Sequence, residues 1–372
     1  MKRNPFIVSG YLSPEYFCDR ETEIRTLEEA LENQRNTTLF SLRRMGKTGL
    51  IKHFIYKIRK RKDICIVYTD IMPTTNLAEF TMAFSKAVLS AMARNESMIK
   101  KILKFFAALR PVISYNELTG KPEISIDIKN TETEYSLERI FHFIENDKLF
   151  FLIAIDEFQQ IVKYAEKNCE EILRSHIQKL TNTCFIFAGS RRHILSDMFN
   201  SPGRPFYKSS SVKEIDTIPV TEYSDFINRH FEKSGKNIST EALEEIIAIT
   251  QLHTFYTQYL CNRLYGKSLK KIELRHVHET LEEIIAEYDS IFVNFLNILT
   301  KLQIKLLRAI ANEKWAENIT SAEFLREYGL GAASSVSTAA ESLLDKELII
   351  KVNNRYRVND IFFACWLNRR RV

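Results

Sequence analysis

Glycine and proline are scarce in this sequence, at 10 and 8 of 372 residues. Average usage is about 7% glycine and 5% proline, so the composition excludes a collagen-like, low-complexity or linker-dominated chain. Both residues interrupt helices, and their scarcity favours a chain rich in helices. Long apolar runs are also absent. The longest, residues 149–155, is far shorter than the roughly 20 residues of a membrane span, so we expect no membrane contact.

Cysteine pairs at the spacing of metal ligands or redox motifs are missing as well. The six cysteines lie far apart, and we interpret them as reduced thiols in a cytoplasmic protein. Charge of one sign is not in large excess, because 53 basic and 47 acidic residues leave a formal net charge of +6. This surplus does not by itself indicate a nucleic-acid partner.

Strand-like and helix-like segments alternate over residues 1–218. Apolar runs predict strands at 37–41, 65–70, 149–155, 184–188 and 212–218. Helical periodicity predicts helices at about 20–35, 47–62, 76–109, 135–146 and 166–180. A period-two alternation at about 111–130 predicts a β-hairpin inserted between helices. We therefore expect an α/β core with a parallel sheet.

The predicted strands stop at Pro219. Helices at about 221–234, 240–250, 254–265 and 273–290 indicate a helical lid subdomain over residues 219–292. The last segment, 293–372, has helices at 299–312 and 334–346, and a capping box from Thr320 to Glu323 opens another between them. Asn353 and Asn354 predict a tight hairpin near the end. Three helices followed by a hairpin predict a winged-helix domain.

The loop after the first predicted strand resembles a P-loop, whose consensus is G-x-x-x-x-G-K-[ST]. The triplet Gly46-Lys47-Thr48 matches the end of the consensus, and Ser41 stands at its first glycine. Backbone N–H groups at a helix start bind phosphate. Lys47 would reach the β- and γ-phosphates, and Thr48 would hold Mg²⁺ through its hydroxyl group. Alone, the triplet also fits a helix start that binds no ligand.

A second motif lies well downstream, where the apolar run 149–155 ends in Asp156 and Glu157. This is the Walker B pattern, in which the first carboxylate lies near Mg²⁺ and the second polarises the attacking water. Alone, it also fits a core strand that leads into an acidic loop. Both motifs in order predict that the chain binds ATP with Mg²⁺. Ser190 follows the next strand, which we expect between the other two, and is a candidate sensor hydroxyl for the γ-phosphate.

Together these residues resemble the archaeal-type ATPases of the STAND group, within the AAA+-like P-loop ATPases. The likeness covers nearly the whole chain: an N-terminal Asn4-Pro5-Phe6, then F-x-x-R-E from Phe17, the P-loop, and a G-S-x-x-H motif from Gly189. It implies a P-loop NTPase core with a helical lid and a winged helix. It also implies nucleotide contacts from the P-loop, the N-terminal loop and the lid, at Ser41, Leu42, Arg43, Arg44, Met45, Gly46, Lys47, Thr48, Gly49, Phe17, Asp19, Arg20 and His253.

Two positions depart from the family pattern. Thr254 stands where relatives carry a proline that touches adenine, and Ser209 stands where they carry an arginine. We therefore predict slow hydrolysis by the isolated protein and a nucleotide that co-purifies with it. Arg204 is our candidate for the missing positive charge, within its own chain or toward a neighbouring copy. The predicted catalytic residues are thus Lys47, Glu157, Ser190 and Arg204.

The motifs and the predicted domains support two alternative hypotheses about function. The first is an ATP-dependent switch, in which slow or partner-stimulated hydrolysis repositions the winged helix, with an unidentified protein partner. The alternative is a DNA-binding regulator or DNA-processing ATPase that uses the winged helix. The third helix of that domain has few cations, but Lys351, Arg355 and Arg357 make the wing basic. The oligomeric state stays open.

Overall fold

A computed structural model describes residues 3–93, 96–106, 111–115, 122–126 and 132–369. The chain forms two compact units, one of Ser9–Ile218 and one of Met1–Val8 together with Pro219–Val372. We call them the core unit and the C-terminal unit. In the described residues, no helix combines the length and the apolar character needed to cross a bilayer.

The core unit contains the predicted parallel sheet. Its five strands lie in the order β2-β5-β6-β1-β7 and all pair in parallel. The strand after Walker B, β6, lies between the P-loop strand and the Walker B strand, as predicted. The strands of this unit, with a separate hairpin of β3 and β4, are β1 Thr37–Phe40, β2 Ile64–Asp70, β3 Pro111–Tyr115, β4 Pro122–Ile126, β5 Phe150–Asp156, β6 Thr183–Gly189 and β7 Ser211–Glu214.

Helices cover both faces of this sheet. Successive residues of β5 point to opposite faces: Ile153 packs with Phe84 and Ile140 on one side, and Leu152 packs with Phe54 on the other. Burial on both faces explains why β5 is a continuous apolar run. The helices are α1 Glu21–Glu32, α2 Lys47–Ile58, α3 Leu77–Met92, α4 Glu96–Phe105, α5 Thr133–Glu145, α6 Cys169–Ile177 and α7 Arg192–Asn200.

Several elements of the core unit differ from those predicted. The single helix expected over 76–109 is divided into α3 and α4, and α7 was not predicted. A 3-10 helix, Phe158–Lys163, directly follows Walker B. The strands β3 and β4 pair antiparallel, as the predicted hairpin requires. Positions 107–110, 116–121 and 127–131, which include its turn, lie outside the described residues.

The C-terminal unit begins with the helices of the predicted lid. They are α8 Val220–Lys233, α9 Thr240–Thr250, α10 Thr254–Gly266 and α11 Leu274–Glu287. The two short strands β8 Asn237–Ile238 and β9 Lys271–Ile272 pair in parallel between them. The helix expected over 273–290 ends at Glu287, and a separate helix, α12 Asp289–Asn297, follows it.

A winged helix completes this unit. Its elements are α13 Lys301–Glu313, β10 Ala316–Glu317, α14 Ala322–Glu327, α15 Ala333–Asp345, β11 Ile349–Val352, β12 Arg355–Val358 and α16 Ile361–Arg369. The strands form a sheet in the order β10-β12-β11. Asn353 and Asn354 have positive φ values of 48° and 65°, which suits the predicted two-residue hairpin turn. The predicted capping box is wrong, because Ser321 rather than Thr320 caps α14.

The N-terminal segment is divided between the two units. Asn4 donates a hydrogen bond to the carbonyl of Asn262, and the Asn262 amide donates to the carbonyl of Phe6. The Phe6 ring is fully buried among aromatic residues of α8 and α10. The first motif of this segment therefore anchors the chain to the lid helices, whereas Phe17 belongs to the core unit.

Candidate active site

The P-loop connects β1 to α2, as the motif requires. Gly46 precedes the first residue of α2 with a φ of 92°, and Arg44 also has a positive φ. Ser41, at the position of the first consensus glycine, is not among the positive-φ residues of the described chain. Its side chain is buried, and its hydroxyl group donates to the Leu42 carbonyl at 2.7 Å. A serine thus fits here, and α2 begins where the P-loop motif requires a helix terminus that could bind phosphate.

Lys47 and Thr48 lie beside the Walker B carboxylate. Lys47 is only 5% exposed, and burial lowers the pKa of its amine, while Asp156 and Glu157 act in the opposite direction. The Thr48 hydroxyl donates to Asp156 Oδ2 at 2.6 Å. Tyr68, which the sequence did not single out, donates to the same oxygen at 3.2 Å. Two of the predicted metal ligands are therefore in direct contact.

These oxygens suit Mg²⁺, which binds to one or two carboxylates together with substrate phosphates rather than inside a protein cage. The part of the chain that the structure describes has no group of three or more His, Cys, Asp or Glu side chains placed to hold a metal. Thr48 and Asp156 are the residues that would hold the ion beside a triphosphate.

Glu157 and Ser190, which follow the adjacent strands β5 and β6, are in direct contact. The Ser190 hydroxyl donates to Glu157 Oε2 at 2.8 Å. Gln159 donates to the same oxygen through Nε2 at 2.5 Å. Glu157 has a positive φ of 57°, at the point where β5 turns into the 3-10 helix. Two donors therefore hold one oxygen of the proposed base.

Gln159 was missed by the sequence analysis. Its side chain is 2% exposed, and its Oε1 atom has no hydrogen-bond partner. Gly189 makes room for it, because a Cβ atom at position 189 would lie 1.7 Å from Gln159 Oε1. The available signals were a polar side chain two residues after Glu157 and a glycine at the end of β6, and neither specifies a contact.

The N-terminal loop supports the P-loop and α2. Arg20 is buried, pairs with Glu23 at 2.8 Å and donates to the Met45 carbonyl at 3.3 Å. The Phe17 ring stacks on His53 with 4.3 Å between ring centroids. A Cβ atom at Gly49 would lie 3.5 Å from the Phe17 ring, so the two are in close contact. Phe17, Asp19 and His53 also line a cleft of about 490 Å³ along α2.

Two predicted site residues have contacts away from this cluster. Arg204 pairs with Glu170 at 2.5 Å and with Asp197 at 3.5 Å, rather than with Glu157 or Ser190. Burial raises the pKa of the Glu170 carboxyl, although the Arg204 charge acts against this. His253 lies in the C-terminal unit, where it precedes α10 and its carbonyl accepts from Thr257. The roles predicted for both residues stay predictions.

Comparison with known proteins identifies the family. A family model described as an ATPase domain predominantly from Archaea matches residues 17–254. The chain belongs to this archaeal-type ATPase family. A second model, for a probable winged helix domain, matches residues 290–369 of the ATPase. Its family and fold give it the nucleotide-binding and hydrolytic character of P-loop ATPases. None of the curated proteins matches the sequence.

Solved structures show the same fold over the whole length. A Walker-type ATPase of Pyrococcus abyssi is 19% identical, with a TM-score of 0.62, over 98% of this chain and 99% of that one. The Aeropyrum pernix ORC1 protein, solved in complex with DNA, is 13% identical, with a TM-score of 0.52, over 99% and 97% of the two chains. Drosophila ORC bound to DNA is 14% identical, with a TM-score of 0.51, over 98% and 90%. At these identities the likeness concerns the fold alone.

Proposed function

We propose that this archaeal-type ATPase is a slow, ATP-dependent switch that couples its nucleotide state to the position of the winged helix. The hydrolytic part of the proposal is supported by the contacts around Glu157, whose carboxylate is held by Ser190 and Gln159 next to Lys47 and Asp156. Glu157 would accept the proton of the attacking water. Ser190, whose hydroxyl group donates to Glu157 in this structure, would turn to the γ-phosphate when ATP is bound.

Each residue of the candidate site would have a separate role in phosphoryl transfer. Lys47 and the backbone N–H groups of the loop would bind the phosphate oxygens. Mg²⁺, when bound at Thr48 and Asp156, supplies positive charge against the developing negative charge of the phosphates. The water is oriented by Glu157, whose own position depends on the two side chains that donate to it.

We attribute slow turnover to a missing positive charge. Ser209, at the family's arginine position, uses its hydroxyl group to bond the Phe206 carbonyl at 2.7 Å. An arginine supplied in trans is worth about 10³–10⁵ in rate in P-loop systems. Arg204 is the cation that we propose for this role, and it would have to exchange Glu170 for phosphate.

Single-turnover hydrolysis of radiolabelled ATP tests this proposal. We expect slow phosphate release by wild-type protein, no nucleotide binding by Lys47→Ala, and slower release by Arg204→Ala. Lys62→Ala, at an exposed lysine just after the same helix, is the matched control and should release phosphate as wild-type protein does. Fast turnover by dilute wild-type monomer would exclude the slow switch. Unchanged release by Lys47→Ala would exclude hydrolysis at this site, and an Arg204→Ala protein as active as wild type would remove that residue's role.

DNA is the partner in the second proposed function. The similar ORC1 structure was solved in complex with DNA, and Lys351 and Arg355 lie exposed on the wing strands of this chain. Arg357, predicted as a third basic residue of the wing, is instead buried and does not contribute to a basic surface. Arg355, moreover, pairs with Glu317 at 2.6 Å. The wing is therefore less basic than its sequence indicated.

Fluorescence anisotropy with a labelled duplex tests the DNA proposal. Binding through phosphates should weaken steeply between roughly 50 and 200 mM salt, because bound counterions are released. Lys351→Ala should weaken the affinity for DNA. Lys346→Ala, just after α15, is the control, and its affinity should equal that of wild-type protein. Absence of binding at low salt would exclude DNA as the partner.

We further propose, on the motif resemblance, that the protein belongs to the STAND group within AAA+-like ATPases, is cytoplasmic and has a protein partner.

A further inference from the structure

Arg357 is a buried cation that no carboxylate neutralises. It lies on β12 of the winged helix and is 6% exposed. Its guanidinium donates to Gln251 Oε1 at 3.2 Å and lies over the Trp315 ring, 4.7 Å from the centroid. Its Nε atom has no hydrogen-bond partner. Within the described residues, no Asp or Glu side chain forms an ion pair with Arg357. Burial lowers the pKa of this side chain to about 10.

A buried charge without a counter-ion is unfavourable, because the low-dielectric interior does not replace the water that it loses. Arginine usually meets carboxylate or phosphate groups at such places, through two parallel hydrogen bonds. Gln251 offers one neutral oxygen, and Trp315 offers only its ring. The surroundings of Arg357 therefore lack the anionic acceptor that its charge and geometry favour.

Arg357 is one of the residues that line a pocket of about 180 Å³. Arg357 lines it together with the end of α9, the end of α13 and one face of α16. Much of its wall is apolar, with Ile249, Ala311, Ile361 and Ala364 among the lining residues. Glu245 also lines the pocket, but its carboxylate bonds to His278 at 3.0 Å. The pocket thus combines an apolar wall with Arg357, which has no anionic partner, and with a second cation, Lys314.

We propose that this pocket binds a small organic carboxylate with a short apolar body. The carboxylate would accept hydrogen bonds from the Arg357 guanidinium, and the apolar body would lie against α9 and α16. The size of the ligand follows from the volume, since a cavity of about 150 Å³ accepts benzene. Benzoate is therefore a suitable probe. The proposal does not depend on ATP binding, because all of these residues lie in the C-terminal unit.

Isothermal titration calorimetry of the full chain with benzoate tests this proposal. We expect saturable binding to wild-type protein and at least tenfold weaker binding of benzyl alcohol, which has the same ring but no charge. Arg357→Gln should lose binding by a similar factor. Arg355→Gln removes an exposed arginine from the same strand and is the matched control, for which the affinity should stay unchanged.

A second variant keeps the test decisive if Arg357→Gln does not fold. Ala248 is an exposed residue of α9 that lines the pocket, so Ala248→Leu should preserve the helix and occupy part of the space. We expect it to weaken benzoate binding while leaving thermal unfolding without ligand unchanged. The proposal is overturned if wild-type protein does not bind benzoate, if benzyl alcohol binds equally well, or if folded Arg357→Gln and Ala248→Leu both bind as wild type does.

Discussion

Two buried charged sites, one in each unit, are built in opposite ways. In the core unit, Asp156 and Glu157 each accept hydrogen bonds from neighbouring side chains, so the carboxylates are held before any ligand arrives. In the C-terminal unit, Arg357 has one neutral acceptor and a ring. Burial alone therefore does not show that a charged side chain has all of its partners. The first site supplies its own partners, whereas the second lacks an anion.

The core site should respond to substitution mainly through its chemistry, and the largest effect is expected at Glu157. Glu157→Gln keeps the shape but removes the base, and we expect the hydrolysis rate to fall by about 10²–10⁴. The affinity for ATP should stay close to that of wild type, because Lys47 and the loop backbone are unchanged. Phosphate release and nucleotide titration measure the two effects, with the exposed Glu145→Gln as control. Equal rates in Glu157→Gln and wild type would contradict the assignment of the base.

The second-largest effect is expected on stability, from a change in the packing beside Glu157. In Gly189→Ala the added methyl group would lie 1.7 Å from Gln159 Oε1 and 2.6 Å from Leu195 Cδ1. Overpacking of this kind costs about 1–3 kcal/mol of unfolding free energy. Gln159→Ala removes the first obstacle, so the double variant should be less destabilised than the sum of the singles. Urea unfolding of all four proteins measures this, and strict additivity would show that the two positions do not contact each other.

A variant of Gln159 tests whether the hydrogen bonds that hold Glu157 contribute to catalysis. Gln159→Leu keeps the approximate volume but removes the donor to Glu157, and a hydrogen bond to a charged group is worth about 1.5–3 kcal/mol. We expect the turnover number to fall by roughly tenfold with little change in KM. Gln160→Leu is the matched control, since Gln160 donates instead to the Thr74 carbonyl. Equal loss in both variants would indicate a general structural effect.

The smallest effect is expected at the unpaired arginine. Replacement of a buried charge by an apolar side chain of similar size is often neutral or stabilising, so Arg357→Met should change the unfolding free energy by less than about 1 kcal/mol or increase it. Arg20→Met is the opposite case, because Arg20 is equally buried but pairs with Glu23 and the Met45 carbonyl. Its loss should cost about 1–3 kcal/mol. Thermal unfolding compares the two, and a more damaging Arg357→Met would mean that Arg357 is well compensated.

Much of the core could be predicted from the sequence, because its signals are local. A strand buried on both faces must be apolar along its length. The apolar run that ends at Asp156 therefore predicted β5. The start of α2 could also be predicted, because the residue before it has a positive φ, a conformation that favours glycine, and Gly46 occupies this position. Parallel strands end at one edge of a sheet, so Thr48, Asp156 and Ser190 could be expected together.

Elements that depend on tertiary packing were predicted less well. The helix α7, the division between α3 and α4, and the extra helices α12 and α16 were missed, since helical periodicity alone does not say where a long apolar stretch ends. Trp366 on α16 illustrates this, because its indole donates to Asp289 of α12 at 2.7 Å. That contact joins positions 77 residues apart, and no local pattern records it.

From the sequence by itself could be predicted the fold class and the position of β6 between the P-loop strand and the Walker B strand. Tertiary structure alone decided which side chains touch the predicted site residues: Tyr68 at Asp156, Gln159 at Glu157, and Arg204 at Glu170 instead of the site. It also decided that Arg357 is buried rather than part of a basic wing. The physical reason is that backbone signals repeat along neighbouring residues, whereas hydrogen bonds and burial depend on side chains that only the folded chain brings together.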